Sequence, residues 1–254
     1  MVSVSIVTYN SADVIGRLLT GIFEQTKGTD VAVFVVDNGS TDGTPALVEE
    51  QFPAVTVLRQ DNRGFGGGHN AVLSRVQSDY HAIINPDITL TEDVLTALSA
   101  YMDAHTDVVL TCPLIRNEDG TVQDVPRRNL KLSFILAGKL QKYSRYFAKK
   151  RREYTMADAD LSAPFEVEFC TGCFMFIRTA AWKQLGGFDE QFFLYCEDAD
   201  LTRRARKLGK ATCMPQTAVT HAWERGSYRN PKLLRIHLHS IRVYLRKWRK
   251  ENKQ

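Results

Sequence analysis

The stretch Val31-Ala32-Val33-Phe34-Val35-Val36-Asp37-Asn38-Gly39-Ser40-Thr41-Asp42-Gly43 carries an apolar run into a carboxylate and then into a turn. An unbroken, mostly β-branched run with no polar residue on either side reads as a strand buried on both faces, which is the habit of a parallel sheet covered by helices. Working outward, Val2 to Tyr9 is β-branched and alternating, and further short apolar segments occur at Val55 to Leu58, Ala82 to Asn85 and Val108 to Cys112, all reading as strands. Between them lie helical patterns: Ala12 to Gln25, with Leu18, Leu19, Ile22 and Phe23 on one side, then Thr44 to Gln51, Asn70 to Val76 and Thr91 to Ala104. This alternation at βαβ spacing predicts an α/β fold whose first half is a mostly parallel sheet with helices on both faces. Such sheets bind ligands beyond the carboxyl ends of their strands. The polar clusters Thr8-Tyr9-Asn10, Asp37-Asn38-Gly39-Ser40 and Asn85-Pro86-Asp87 fall there.

The chain has 254 residues, 44% hydrophobic and 24% charged, enough for one sizeable core. A single catalytic domain over residues 1–228 is expected, with a basic helical insertion at about 127–152 and a basic amphipathic helix over 229–254. No stretch approaches the roughly 18–20 apolar residues of a spanning helix, and the first residues lack the pattern of a signal peptide, so a cytosolic chain is expected. The 5 cysteines are odd in number and sit mostly in apolar runs, which reads as reduced core thiols. Cys170-x-x-Cys173 has no second pair and suits a strand turn better than a zinc knuckle.

The net charge of +4 hides an asymmetry. Arg127 through Arg152 holds ten Lys/Arg and no acid, and Lys232 through Gln254 holds eight Lys/Arg against one Glu. Two basic blocks on an acidic body point to a polyanionic surface, phospholipid or nucleic acid, while solvated helix faces are the plainer alternative.

Each strand end has a chemical and a plain reading. Asp37 can accept a hydrogen bond from the imide N–H of uracil or thymine; the same residues also make an ordinary turn and cap. Asp61-Asn62-Arg63-Gly64-Phe65-Gly66-Gly67-Gly68-His69-Asn70 offers an anion cradle ahead of a helix, although its glycine spacing is neither a dinucleotide fingerprint nor a P-loop, and a flexible connection is the alternative. Asn85-Pro86-Asp87 leaves the Asp87 carboxylate at the sheet edge, where a diphosphate needs a hard cation. His221, after a presumed strand Ala211 to Met214, is the candidate second ligand. Glu197-Asp198-Ala199-Asp200 opens a helix, which the dipole favours by itself, but it follows a run dense in aromatics that would desolvate a carboxylate and make it a better general base.

In order and content these elements resemble the family 2 glycosyltransferases, and more narrowly their rhamnosyltransferase-like branch. The residues that carry the resemblance are Val4 to Asn10, Val35 to Gly43, Asn62-Arg63-Gly64-Phe65, Asn85-Pro86-Asp87, Thr171-Gly172-Cys173 and Gly187-Phe188-Asp189 through Leu201. The match spans roughly residues 2 to 225. It implies a GT-A fold, Rossmann-like, and inverting transfer from a nucleoside-diphosphate sugar. It further implies that Thr8, Tyr9 and Asp37 hold the nucleobase, with Asn10, Asn38, Ser40, Arg63, Gly64, Asn70, Asn85 and Gly172 completing the nucleotide-sugar site. Asp87 and His221 would bind Mg2+ or Mn2+, and Asp198 would be the base with Glu197 beside it. The family's commoner Asp-x-Asp metal motif is Asn-Pro-Asp here, as in that branch.

The expected reaction is a single displacement in which Asp198 deprotonates an acceptor hydroxyl as it attacks the anomeric carbon. The tail places Leu234, Leu238, Ile241, Leu245 and Trp248 on one stripe among Arg and Lys, and Leu130 to Phe147 has a similar make-up. Both are expected either to lie on an anionic membrane and bring in a lipid-linked glycan acceptor, or to pack onto the core or a second subunit as in a homodimer. The expected setting is cytoplasmic, peripheral at the inner face of the cell membrane, in polysaccharide biosynthesis. A sugar nucleotidyltransferase would need a Gly-rich Arg/Lys signature that Asn10-Ser11-Ala12-Asp13 lacks. A nucleic-acid-binding protein would leave Asp37, Asp87 and Asp198 unused, so no nucleic-acid partner is expected.

Overall fold

The computed structural model describes residues 1–123, 127–222 and 230–249. Its elements run β1 (Val2–Thr8), α1 (Ile15–Gln25), β2 (Val31–Asp37), α2 (Thr44–Gln51), β3 (Thr56–Arg59), α3 (Gly64–Asn70), β4 (Tyr80–Ile84), β5 (Ile88–Thr89), α4 (Val94–Ala104) and β6 (Val108–Arg116). There follow α5 (Leu132–Leu140), α6 (Arg145–Tyr154), β7 (Phe165–Glu166), β8 (Phe174–Arg178), α7 (Thr179–Gln184), α8 (Glu197–Ala205), β9 (Lys210–His221) and α9 (Pro231–Lys247).

The strands form one sheet in the order β3-β2-β1-β4-β8-β6-β9-β5, with β7 paired to β9. As the apolar runs predict, β3, β2, β1 and β4 are all parallel. Beyond β4 the sheet is mixed, because β8 is antiparallel to both β4 and β6 while β9 runs parallel to β6. Following these directions, the carboxyl ends of β1, β2, β4 and β9 share one edge with the amino end of β8. That edge therefore collects Thr8, Asp37, Asn85 to Asp87, Gly172-Cys173 and His221.

The core is where the periodicities put it. Val2, Val4 and Ile6 of β1 are fully buried, and α1 covers them with Ile15, Leu18, Leu19 and Ile22. Helix starts follow local chemistry: the Asp93 side chain accepts from Thr96 N–H at the head of α4, and Pro45 sits in the first turn of α2. All five cysteines are buried and free.

Three expectations change. The helix read at Asn70 to Val76 lies earlier, at α3, so the glycine run is itself helical and does not precede a helix. Those glycines are contact points: a Cβ on Gly66, Gly67 or Gly68 would come within 2.8, 2.9 or 2.6 Å of Phe188, Arg63 or Val7. The strand read at Ala211 to Met214 continues to His221, interrupted by a register shift after Met214. In the tail, Tyr244 and Trp248 are buried with Phe169, Phe192 and Cys196, and Ile241 and Leu245 pack against them, so the second half of the stripe faces the core and not a headgroup layer. Leu234 and Leu238 stay exposed. Of the tail expected over 229–254, residues 229 and 250–254 lie outside the described residues.

Candidate active site

Asn85-Pro86-Asp87-Ile88 is a turn closed by Ile88 N–H donating to Asn85 O, with proline at its second position. The chain then enters β5, whose register sets Ile88 opposite His221. Backbone pairing thus brings the Asp87 carboxylate to His221, with Oδ2 3.3 Å from Nε2. The other oxygen, Oδ1, is buried and has no hydrogen-bond partner. Burial opposes charge on the imidazole, but its bonds to Asp87 and then Cys173 prevail and hold the His221 pKa at about 10. Gln123, which no sequence pattern singled out, faces the other ring nitrogen at 3.3 Å and donates to the His221 carbonyl. Among the described residues, no group of three or more His, Cys, Asp or Glu side chains is placed to hold a metal.

At the neighbouring strand ends, Asp37 is buried and holds its own turn. It accepts from Thr8 Oγ1 at 3.0 Å and from the N–H groups of Gly39 and Ser40. Asn10, in a left-handed conformation, donates its N–H to Ser40 Oγ and accepts from Thr41 N–H. Asn38 donates to Gly64 O and accepts from Gln60. Tyr9 presents a large exposed ring at this edge, 58% accessible.

The Gly-rich segment closes on the other half of the chain. Gly64 has φ +75°, and a Cβ there would lie 2.0 Å from the Phe193 carbonyl oxygen, so no other residue fits. Arg63 forms an ion pair with Glu190 at 2.6 Å, and Asn70 clips both Phe188 and Glu190. Arg63 and Asn70 therefore tie α3 to residues 188–190, and Glu190 occupies the Arg63 guanidinium.

Asp198 Oδ2 accepts from Gly172 N–H at 2.9 Å, and Oδ1 from Ala199 N–H. A Cβ on Gly172 would be tight, 3.1 Å from the Phe65 ring and 3.3 Å from Asp198 Cβ. Asp198 is half-buried; burial raises its pKa, offset in part by the Gly172 and Ala199 N–H groups and by Arg127. Glu197 is buried, with Oε2 unpartnered, and desolvation followed by the Asp198 charge pushes its pKa well above the usual carboxylate range. Just before them Tyr195 and Cys196 both have positive φ, 71° and 68°. Such strain costs roughly 1–3 kcal/mol per residue and persists only where packing enforces it. Here α9 enforces it: Ser240 donates to Leu194 O, and Tyr244 and Trp248 pack on Cys196. Fully buried Asp200 is held by Trp248 Nε1, Lys247 and Arg204.

A measurable consequence concerns Glu197. Its raised folded-state pKa gives stability that is complete below the ordinary carboxylate pKa and lost as pH rises through the folded value. Glu197→Gln should therefore be more stable than the wild type at pH 8 by about 1–3 kcal/mol, the scale of a buried polar group left unpaired, and the gain should shrink towards pH 4. Urea denaturation at the two pH values measures it.

Residues 3–186 match the family model described as glycosyl transferase family 2. The chain belongs to that family. It is 28% identical, across 94% of its length and 82% of the relative's, to the N-acetylglucosaminyl-diphospho-decaprenol L-rhamnosyltransferase of Mycobacterium tuberculosis. To rhamnosyltransferase WbbL of Escherichia coli it is 24% identical over 82% of this chain and 78% of the other. A mannosyltransferase of Pyrobaculum calidifontis, solved with GDP-Man and Mn2+, superposes with a TM-score of 0.62 at 22% identity, over 89% of this chain and 58% of that one. The present chain thus spans less than two thirds of that solved chain, which shares its GT-A fold. As a family 2 member the protein is a glycosyltransferase, and the sequence-level resemblance to the rhamnosyltransferase-like branch holds.

Proposed function

We propose that this family 2 enzyme transfers a sugar with inversion from a nucleoside diphosphate, rhamnose from dTDP-rhamnose or another hexose from a UDP- or dTDP-sugar, onto a hydroxyl of a lipid-linked or cell-surface polysaccharide acceptor. The observation that carries the reading is the Gly172-Cys173 pair. Gly172 N–H holds Asp198, while the Cys173 carbonyl accepts from Asn85 N–H and its sulfur lies against His221. The Asp87–His221 pair and the Asp198 carboxylate therefore flank the same two residues. Asn38, through Gly64 and Phe65, brings the Asp37 turn to Gly172 as well.

In this reading Thr8, Tyr9, Asn10, Asp37, Asn38 and Ser40 form the nucleobase end, with the exposed Tyr9 ring free to stack. Asp87 and His221 fit a divalent cation that would take the place of the proton held between them: a carboxylate with one buried, unpartnered oxygen stands beside an imidazole, and diphosphate oxygens with water normally complete such a shell. When bound, Mg2+ or Mn2+ would neutralise charge building on the departing diphosphate. Asp198, partly open to solvent and raised in proton affinity, takes the proton of the acceptor hydroxyl. Glu197, buried next to it in the chain, keeps its proton further up the pH scale than an ordinary carboxylate and shapes the electrostatics of the pair.

A thermal-shift screen of dTDP-, UDP- and GDP-sugars with and without Mn2+ tests this. A dTDP- or UDP-sugar should raise the melting temperature only in the presence of the cation. A shift that ignores Mn2+, or none with any nucleotide sugar, would overturn the reading.

A further inference from the structure

We infer that the α5–α6 hairpin docks this protein onto an anionic phospholipid surface. Helix α5 is apolar on two sides. Phe134 and Ala137 are buried and hold it to the body, with the Phe134 ring 5.1 Å from that of Tyr154 on α6. On the other side Leu132, Leu136 and Leu140 recur every fourth residue, which places them in one line along the helix, and they are 61%, 41% and 36% exposed. Tyr143, in the link between the helices, is 85% exposed, and Tyr146 at the start of α6 is 60% exposed. Scattered single apolar residues are ordinary on a surface, whereas a row of leucines continued by two tyrosines is a patch in want of a cover.

Charge selects the cover. Lys131, Lys139, Lys142, Arg145 and Lys149 are exposed around this row, and the sequence from Arg127 through Arg152 holds no acid. An apolar ridge rimmed by long cationic side chains suits the headgroup layer of a bilayer: leucines and tyrosine rings enter the boundary with the acyl chains while lysines meet the phosphates. A second copy docking through the same face across a two-fold axis would set cations against cations. A groove of about 750 Å3 beside α6 is lined by Arg145 and Lys149 together with Arg128, Arg152, Glu153 and Asp158, but Arg152 and Arg128 are ion-paired with Asp158 and Glu168, so the groove adds little beyond the exposed cations of the rim. The tail contributes less than its sequence stripe suggests, since Ile241, Tyr244, Leu245 and Trp248 face the core and only Leu234 and Leu238 remain outward.

The hairpin also adjoins the site. Tyr154, the last residue of α6, is buried within electrostatic reach of Asp198 and Arg127. Docking there sets the bilayer on the side of Asp198, from which a lipid-linked hydroxyl would arrive. The inference deepens the lipid-linked-acceptor reading and rests on it for its catalytic purpose.

The test is flotation of the full chain with vesicles of phosphatidylcholine, with or without phosphatidylglycerol, beside sedimentation of the protein alone. Flotation with the anionic vesicles only, weakened by salt, is expected. A Leu132→Ser/Leu136→Ser/Leu140→Ser variant should lose about tenfold or more in partitioning, whereas Leu234→Ser/Leu238→Ser should lose less. No flotation of the wild type, equal flotation of the triple variant, or a stable dimer that buries the hairpin and does not float would each overturn the docking. Mn2+-dependent binding of a dTDP- or UDP-sugar, measured on the same samples, separates the two readings. Its persistence without flotation removes the docking alone, and its absence with normal flotation removes the transferase site alone.

Discussion

Asp198→Asn is expected to lower turnover by about 10²–10⁴-fold, the usual contribution of a positioned general base, while leaving donor affinity nearly intact. The substitution keeps size and shape, and the asparagine oxygen can still accept from Gly172 N–H, so the turn before β8 should survive. What is lost is the capacity to take a proton. Glu197 cannot easily substitute, because it is buried and its raised pKa keeps it protonated further up the pH scale than an ordinary carboxylate. Steady-state kinetics with a fixed acceptor, together with calorimetric titration of the nucleotide, would measure both halves of the expectation. Turnover within a few fold of wild type would move the base to another group. The wild-type rate itself should fall on acidification at a pH above the ordinary carboxylate range, because burial raises the proton affinity of Asp198.

The second large effect is at Asp87. Asp87→Ala should abolish the Mn2+ dependence of nucleotide binding and lower turnover by about 10²-fold or more, since charge stabilisation of a leaving diphosphate by a metal is worth several kcal/mol. The fold should tolerate it: the Asp87 backbone carbonyl still accepts from Ala222 N–H, and Ile88 still pairs with His221. His221 would lose its anionic partner at Nε2 and retain Gln123 at Nδ1. Titrating Mn2+ into the variant in the presence of the nucleotide is the measurement. An unchanged binding isotherm would remove Asp87 from the metal site.

Much of the first half of the fold is legible in the chain because its information is local. Val31 to Asp37 is an apolar run without polar alternation, Val2 to Thr8 alternates β-branched valine with serine, and Leu18, Leu19 and Ile22 mark the covered side of α1 at helical spacing. The polar residues that stop these strands then mark the ligand edge. Less legible was the Gly-rich segment. Its glycines resemble a loop, yet they form α3 because Phe188, Val7 and the Phe193 carbonyl press so closely that no Cβ fits. Such an approach depends on residues distant in the sequence, Val7 on one side and Phe188 and Phe193 on the other, and leaves no local signal. Arg63 and Asn70 follow the same logic, engaged by the loop at Glu190.

The tail was ambiguous for a physical reason of its own. A stripe of Leu, Ile and Trp among arginines can cover a core or enter a lipid interface, and the hydrophobic effect is indifferent to which apolar environment removes it from water. The structure divides it: Tyr244 and Trp248 lock onto Asp200 and Cys196, holding two residues with positive φ immediately before the Glu197-Asp198 pair, and Leu234 and Leu238 face outward.

By itself the sequence determined the parallel half of the sheet, the strand ends that carry Asp37 and Asp87, the acidic start of α8 and the two basic blocks, because burial period, turn chemistry and charge are written in neighbouring residues. Only the tertiary structure decided that His221 meets Asp87, that Gly172-Cys173 joins that pair to Asp198, that Glu197 is buried where Asp198 is only half-buried, and that α9 braces the strained turn before them. Those facts depend on strand register and on contacts between distant segments, which no local pattern encodes.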